Sequence, residues 1–216
     1  MLGMYTQVYK KFKQLSNKCF KLIFYHFAII NNKVNFKRAA MCAIACYTYD
    51  DYKQWEGDWE LIYGQAVAMA PVPVISHKMV AFNIAKEISN NLECDECIVV
   101  LEEDWIICDG TVVRPDVALI CDEEGDFITK APKIVVEVVS KSTAKKDEKI
   151  KFEIYEKEKV DYYILAYPNH CKAKVYRLKD GKFDKVGDFT KETLHIEDIS
   201  CPTKIDFDEV FKRLRK

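Results

Sequence analysis

The sequence carries almost no net charge, no long apolar run and no internal repeat, and each lack narrows what the chain can do. Its 216 residues hold 33 Lys and Arg against 34 Asp and Glu, a net charge of -1. Proteins that coat nucleic acid over their whole surface carry a basic excess, so any contact with nucleic acid here needs a local basic patch. The best apolar run, Cys19 to Ile30, contains Lys21 and His26 and is shorter than the roughly 20 residues that cross a bilayer. It ends in no small-residue cleavage site, so neither a membrane partner nor a secretory signal is expected.

A disulfide framework is not expected either. The nine cysteines (Cys19, Cys42, Cys46, Cys94, Cys97, Cys108, Cys121, Cys171 and Cys201) are odd in number and irregularly spaced. Without a secretory signal they read as reduced thiols of a cytoplasmic protein. Cys94 and Cys97 have CxxC spacing, and Cys42 and Cys46 lie four apart. A structural zinc would need these two pairs to meet, and the four lack the paired short spacings of known zinc modules. Small, semi-buried side chains are the expectation.

What is present is the composition of an ordinary soluble globular protein, 49% hydrophobic and 31% charged. The length suits one sizeable core and is short for two full domains. Residues 1–46 read as an N-terminal extension and residues 47–216 as the folded domain. Met1 to Ala40 mix Lys, Asn, Phe, Ile and Tyr with no clean period. Met41 is therefore expected to be the natural start, the alternative being a peripheral amphipathic helix over Tyr5 to Tyr25.

From Tyr47 the pattern becomes orderly. Thr48 caps a short helix ending at Gly57. Trp59 to Ile62 and Gln65 to Met69 read as strands around a Tyr63-Gly64 turn. Ser76 is placed to cap a helix running to about Asn91. Ile98 to Leu101, Trp105 to Cys108 and Val112 to Ile120 are strand candidates. Ile134 to Val139 is nearly all β-branched, as in a strand buried on both faces. Ser142 or Thr143 then caps a charged helix ending near Lys157. Tyr162 to Ala166 and Lys172 to Leu178 are further strands, and Asp180-Gly181 turns the latter into Lys182 to Phe189. Asp206 to Leu214 closes the chain as an amphipathic helix. This mixed order predicts a central sheet with helices on its faces.

Three features carry chemistry. Glu137 interrupts an otherwise apolar strand, and an ionised carboxylate in a dry strand costs several kcal/mol unless a cation compensates it. The plain alternative is an acid at the open end of the strand, or one paired with a lysine for structural reasons. Asp116 follows Pro115, a residue tolerated at the first position of a strand, so it stands where a strand begins. Two carboxylates facing one side of adjacent strands suit Mg²⁺, which takes one or two carboxylates plus water and substrate phosphate. Lys151 lies at the margin of the apolar face of its helix and can lay its ammonium near Glu137. Asp147 and Lys151, four apart, also fit an ordinary surface ion pair.

The run Trp59 to Gly64, Met69-Ala70-Pro71 with His77, Arg114-Pro115-Asp116-Val117, Val136 to Ser140, Ser142-Thr143 with Asp147 and Lys151, and Tyr155 closely resembles the Uma-two family of restriction-endonuclease-like proteins. The resemblance covers about Tyr47 to Leu178; Lys159-Val160 stands where the family usually has Gly-Val. It implies an α/β restriction-endonuclease-like fold with a central mixed β-sheet flanked by α-helices, of the PD-(D/E)XK superfamily. Asp116 then matches the first acid of the motif and Glu137 the second. The motif's lysine, expected two residues further on the same strand face, is Val139 here, and Lys151 matches the family's helix-borne lysine. Glu60 matches an upstream acid that completes a metal site with Asp116 and Glu137, and His77 matches the family histidine.

The activity implied is that of a Mg²⁺-dependent endonuclease, with Mn²⁺ as a substitute, hydrolysing phosphodiester bonds of nucleic acid, DNA above all. Restriction-type nucleases often work as dimers, which makes a homodimer an expectation. Lys141, Lys145, Lys146 and Lys149 are equally suited to phosphate contact and to an ordinary solvated helix face. Two alternatives stay open: a catalytically inactive binding module that retains the fold, and a subunit that acts only with a partner.

Overall fold

Ile134–Val138 (β7) has all five residues buried and lies inside a six-stranded sheet. The structure, a computed structural model, describes residues 46–69 and 74–215, so the expectations for residues 1–40 and for Cys42 lie outside the described residues. The described residues divide into two units, one comprising 46–69 with 106–113 and the other comprising 74–105 with 114–215.

In the first unit, Tyr49–Tyr52 (α1) is capped by Thr48, whose hydroxyl accepts from the Asp51 amide while the Asp51 carboxylate accepts from the Thr48 amide. This reciprocal pair is a capping box. The helix is a single turn and stops short of Gly57. Trp59–Ile62 (β1) and Gln65–Ala68 (β2) form a hairpin whose turn residues, Tyr63 and Gly64, have φ of 52° and 77°. A two-residue turn with both φ values positive matches the twist of the strands it joins. Trp105–Cys108 (β4) and Thr111–Val113 (β5) complete a sheet of order β2-β1-β5-β4.

In the second unit, Ile75–Asn90 (α2) precedes Cys97–Leu101 (β3) and Val117–Cys121 (β6), followed by β7. Lys146–Lys151 is a π-helical turn that runs directly into Phe152–Lys157 (α3). Tyr162–Tyr167 (β8), Lys172–Lys179 (β9) and Lys182–Phe189 (β10) complete the sheet, in the order β10-β9-β8-β7-β6-β3. Thr193–Ile196 (β11) and Thr203–Asp206 (β12) pair with each other, and Phe207–Phe211 (α4) ends the fold. Every pairing in the large sheet is antiparallel except β7 with β8, so the sheet is mixed. This is the α/β architecture that the sequence predicts.

Side chains alternate across β7 with period two. Ile134, Val136 and Val138 join Val117, Leu119, Ile164 and Val175 in a core that includes Val80, Ile84 and Ile88 of α2 and Phe207 and Phe211 of α4. Val135 and Glu137 therefore face the other side. There Tyr155 of α3 stacks on Trp105 and meets Tyr163 edge-on, while Phe152 contacts Tyr163, Tyr176 and Phe183.

The structure corrects several local expectations. The predicted strand Val112 to Ile120 breaks at Arg114-Pro115, because Pro115 offers no amide to a ladder. α2 begins at Ile75 with Val74 as its N-cap and no side-chain cap bond, so Ser76 is already inside the helix. Ser140 and Thr143, not Ser142, exchange side-chain and backbone hydrogen bonds ahead of the charged helix. The closing helix is shorter than Asp206 to Leu214, and the β11–β12 pair was not anticipated.

The cysteines are also not all thiols. Cys94 is joined to Cys201 and Cys97 to Cys121, and Cys108 is likewise disulfide-bonded; among the described residues Cys46 and Cys171 are free. Linear spacing could not show this, since Cys94 and Cys201 are separated by 107 positions. No described helix is long and apolar enough to cross a membrane.

Trp105 is almost fully buried against Tyr155. Replacing it with Ala removes a large core side chain, and Trp105→Ala is expected to cost about 3–5 kcal/mol. A lowered urea midpoint with an unchanged slope is the expected readout.

Candidate active site

Asp116 occupies the position just before β6, where Pro115 releases the chain into the sheet. The β6–β7 register pairs Val117 with Val136, and one step further sets Asp116 opposite Glu137. Asp116 lies just outside the paired span, at the end of the sheet next to Glu137, and Glu137 itself faces α3. Beyond the last β6 pairing, Asp116 Oδ2 accepts a 2.6 Å hydrogen bond from the Val138 amide. The side chain thus replaces the missing strand as the acceptor for that backbone group.

Glu137 is 3% exposed, and its Oε1 accepts from Lys151 Nζ at 2.8 Å and from the Tyr155 hydroxyl at 2.7 Å. Lys151 is 1% exposed and also donates to the Arg114 carbonyl at 3.2 Å. One ammonium therefore links the segment leading to Asp116, the central strand and the helix over it. Arg114 is itself held by Asp104, with Nε 2.7 Å from Oδ1. A buried charge pair of this kind repays its desolvation only with good geometry and further hydrogen bonds, and the Tyr155 hydroxyl and Arg114 carbonyl supply them.

Two more titratable groups border these residues. His77, in the first turn of α2, places Nε2 3.4 Å from Asp116 Oδ2. Burial pulls its pKa down, but the hydrogen bond and charge of Asp116 outweigh this, and the net shift is upward. Asp147 is 2% exposed, and burial raises its pKa, with the charge of Asp116 adding to the rise and Lys151 and Thr143 opposing it. The expectation of an ordinary surface pair between Asp147 and Lys151 is corrected, since both side chains are buried.

Asp147 Oδ1 and His77 Nδ1 are buried polar atoms with no hydrogen-bond partner. An orphaned carboxylate oxygen buried close enough to feel the Asp116 charge is what a hydrated hard cation would satisfy, so these residues fit Mg²⁺. The acids do not crowd together. Among the described residues, Cys94, Cys97 and Cys201 are the group whose three ligand atoms lie within 4.8 Å of one another. A Mg²⁺ site needs only one or two carboxylates with water, so the pair suffices. Glu60, the remaining predicted acid, is fully buried in β1 opposite Val67, in the first unit. The site described here rests on the second unit alone. A surface groove lined by Asn90, Glu93, His195, Glu197 and Lys204 lies at the opposite end of α2 from His77.

Residues 49–200 match the model of the Uma2 family, described as "Putative restriction endonuclease". That span is more than half of the chain. The chain belongs to the Uma2 family. Among solved structures it resembles the crystal structure of a putative nuclease belonging to DUF820 from Anabaena variabilis ATCC 29413. The TM-score is 0.62 at 16% identity, over 77% of this chain and 98% of that one. At that identity the likeness is one of fold. No curated protein matches.

In this Uma2 chain the place two residues after Glu137 is a core position. Val139 is buried, and its amide donates to Ala166 at 2.7 Å. Lys151 brings an ammonium to Glu137 from the helix instead. Sequence reasoning gave no role to Tyr155 and none to Asp147 as a buried acid. The signal for Tyr155 was its position four residues after Lys151, which puts both on one helix face. Lys141, Lys145 and Lys149 are exposed and Lys146 is half-buried.

Removing Lys151 strands a buried carboxylate. Lys151→Met is expected to cost about 3–5 kcal/mol in chemical denaturation, and Glu137→Gln with Lys151→Met should recover a large part of it. A single variant as stable as the parent would refute the pairing. Burial holds the Asp147 pKa above its ordinary 3.8, so the stability tied to its neutral form is complete below that value and is lost as pH rises through the folded-state pKa. In metal-free buffer, the parent should lose stability relative to Asp147→Asn across that range, measured by denaturation at a series of pH values.

Proposed function

We propose that this Uma2 chain is a Mg²⁺-dependent endonuclease that hydrolyses phosphodiester bonds of DNA in the cytoplasm, with Mn²⁺ able to replace Mg²⁺. The observation that carries the reading is the buried Glu137 carboxylate, in register with Asp116 and held by Lys151 and Tyr155. Asp116 and Glu137 would hold the ion. When bound, such an ion lowers the pKa of a water ligand and offsets charge on the phosphate.

The remaining work belongs to the chain's own side chains. Tyr155 and Lys151 fix the orientation of Glu137 from one helix face. Lys151 supplies a positive charge anchored on two oxygens, which offsets negative charge on phosphate oxygens as the bond breaks. His77 restrains Asp116 from the other flank. The exposed Lys141, Lys145 and Lys149 give the local basic patch that a near-neutral protein needs to hold a phosphate backbone. Two such centres cut both strands of a duplex in a single encounter, so a homodimer is part of the reading.

One observation favours a second reading. Val139 stands where the motif's lysine is expected, and the substitute Lys151 is already engaged by Glu137. A catalytically inactive module that binds nucleic acid or a partner protein would carry the same features.

Incubation of the purified chain with supercoiled DNA and with RNA, in Mg²⁺, Mn²⁺ or chelator, separates the two. The expected result is metal-dependent cleavage of DNA, abolished by Asp116→Ala and by Glu137→Ala and lowered roughly 10²–10³-fold by Lys151→Ala. Absence of cleavage with either metal, together with no calorimetric signal for Mg²⁺, would overturn the enzyme reading in favour of the binding module.

A further inference from the structure

The densest cluster of metal-binding atoms in the described chain lies away from the carboxylates. Cys94 sits in the turn between α2 and β3, Cys97 is the first residue of β3, Cys121 is the last of β6, and Cys201 lies in the loop before β12. Three separate constraints bring them together. The β3–β6 register sets Cys97 directly opposite Cys121, with Cα atoms 4.1 Å apart. The Glu93 amide donates to the Pro202 carbonyl at 3.1 Å, which brings the neighbouring Cys94 and Cys201 to a Cα separation of 5.5 Å. The Thr203 hydroxyl donates to the Ile88 carbonyl at 3.0 Å and fixes the same loop against α2.

The sulfurs form two disulfides, Cys94–Cys201 and Cys97–Cys121. Two independent disulfides would need only their own partners. Here Cys97 Sγ also lies within 4.8 Å of both sulfurs of the other pair. All four sulfurs therefore occupy one small volume, with Cys97 and Cys201 buried and Cys94 and Cys121 half-buried.

We propose that in its reduced state this cluster is a tetrahedral Zn²⁺ site with Cys94, Cys97, Cys121 and Cys201 as its four ligands. A Zn–S bond of about 2.3 Å puts tetrahedral sulfurs about 3.8 Å apart, so the observed cluster needs only local adjustment to close on the metal. Thiolates are soft ligands that suit zinc, and the Cys94–Cys97 pair has the CxxC spacing common in such sites. Asp95, Glu96 and Asp122, adjacent to the ligands in the chain, add negative charge that favours a dication. A thiol reductant opens the site: each disulfide takes up two electrons and two protons, four thiols result, and the reductant leaves as its own disulfide. Zn²⁺ then displaces the thiol protons as it binds. The site joins the end of α2, the edge of the sheet and the loop before β12, and it is independent of any nuclease activity.

The test uses the full chain, reduced and kept free of oxygen, with thiols counted before metal is added. Expected are one Zn²⁺ per chain by elemental analysis and native mass spectrometry, and with Co²⁺ the visible bands of tetrahedral tetrathiolate coordination. Cys94→Ser and Cys121→Ser should each lose those bands, while Cys171→Ser and Cys46→Ser keep them. If a serine variant does not fold, alkylation of the unmodified chain decides instead. Bound Zn²⁺ should protect the four ligand cysteines until chelator is added, whereas the exposed Cys46 reacts throughout. Fully reduced protein that binds neither Zn²⁺ nor Co²⁺ overturns the proposal. So does a chain that keeps both disulfides through thiol reduction, or equal alkylation of all four cysteines with and without zinc.

Discussion

A negative charge buried in the middle of a sheet is the constraint that organises the second unit. An unpaired carboxylate at Glu137 would cost several kcal/mol, comparable with the whole stability of a small domain. The fold answers with one helix face that delivers both an ammonium and a phenol to the same oxygen. Around them, Trp105, Tyr155 and Tyr163 form an aromatic wall on that face of the sheet. With water kept away, each polar contact is stronger and each missing partner more costly. The helix is docked by Glu137 as much as Glu137 is neutralised by the helix.

Topology makes this meeting possible. β7 and β8 are the one parallel pair in a sheet otherwise built from antiparallel neighbours. Parallel strands cannot be joined by a tight turn, so the chain must leave the sheet and return across its face. The returning segment holds Asp147, Lys151 and Tyr155. Directly before β6, the Arg114-Pro115 break places Asp116 where its side chain can finish the hydrogen bonding of β7.

The features legible in the sequence were those with a local signature. An acid within a β-branched run marked Glu137, a proline at a strand start marked Asp116, and Asp180-Gly181 marked the β9–β10 hairpin, where both residues have positive φ. Thr48 was readable as a cap because its partner Asp51 is three residues away. What was not legible depends on distance or on hydrogen-bond pattern. Cys201 meets Cys94 where hydrogen bonds from Glu93 to Pro202 and from Thr203 to Ile88 hold the loop before β12 against the end of α2. The orphaned oxygen of Asp147 follows from burial, and nothing in a run of charged residues announces burial. Tyr155 looked like one more aromatic on a helix, and its task is set by a strand eighteen residues earlier in the chain.

The π-helical turn over Lys146–Lys151 has a consequence for how this segment can vary. Such a turn accommodates one residue more than an α-helical turn of the same reach. Deleting a single position there would let the turn close into a regular α-helical one while the residues on either side keep their relative phase. Lys151 and Tyr155 would then still reach Glu137 from a segment anchored at Ser140 and Thr143. In a plain α-helix the same deletion would swing one side by about 100° relative to the other, so this is the stretch of the segment that tolerates a change of one residue in length.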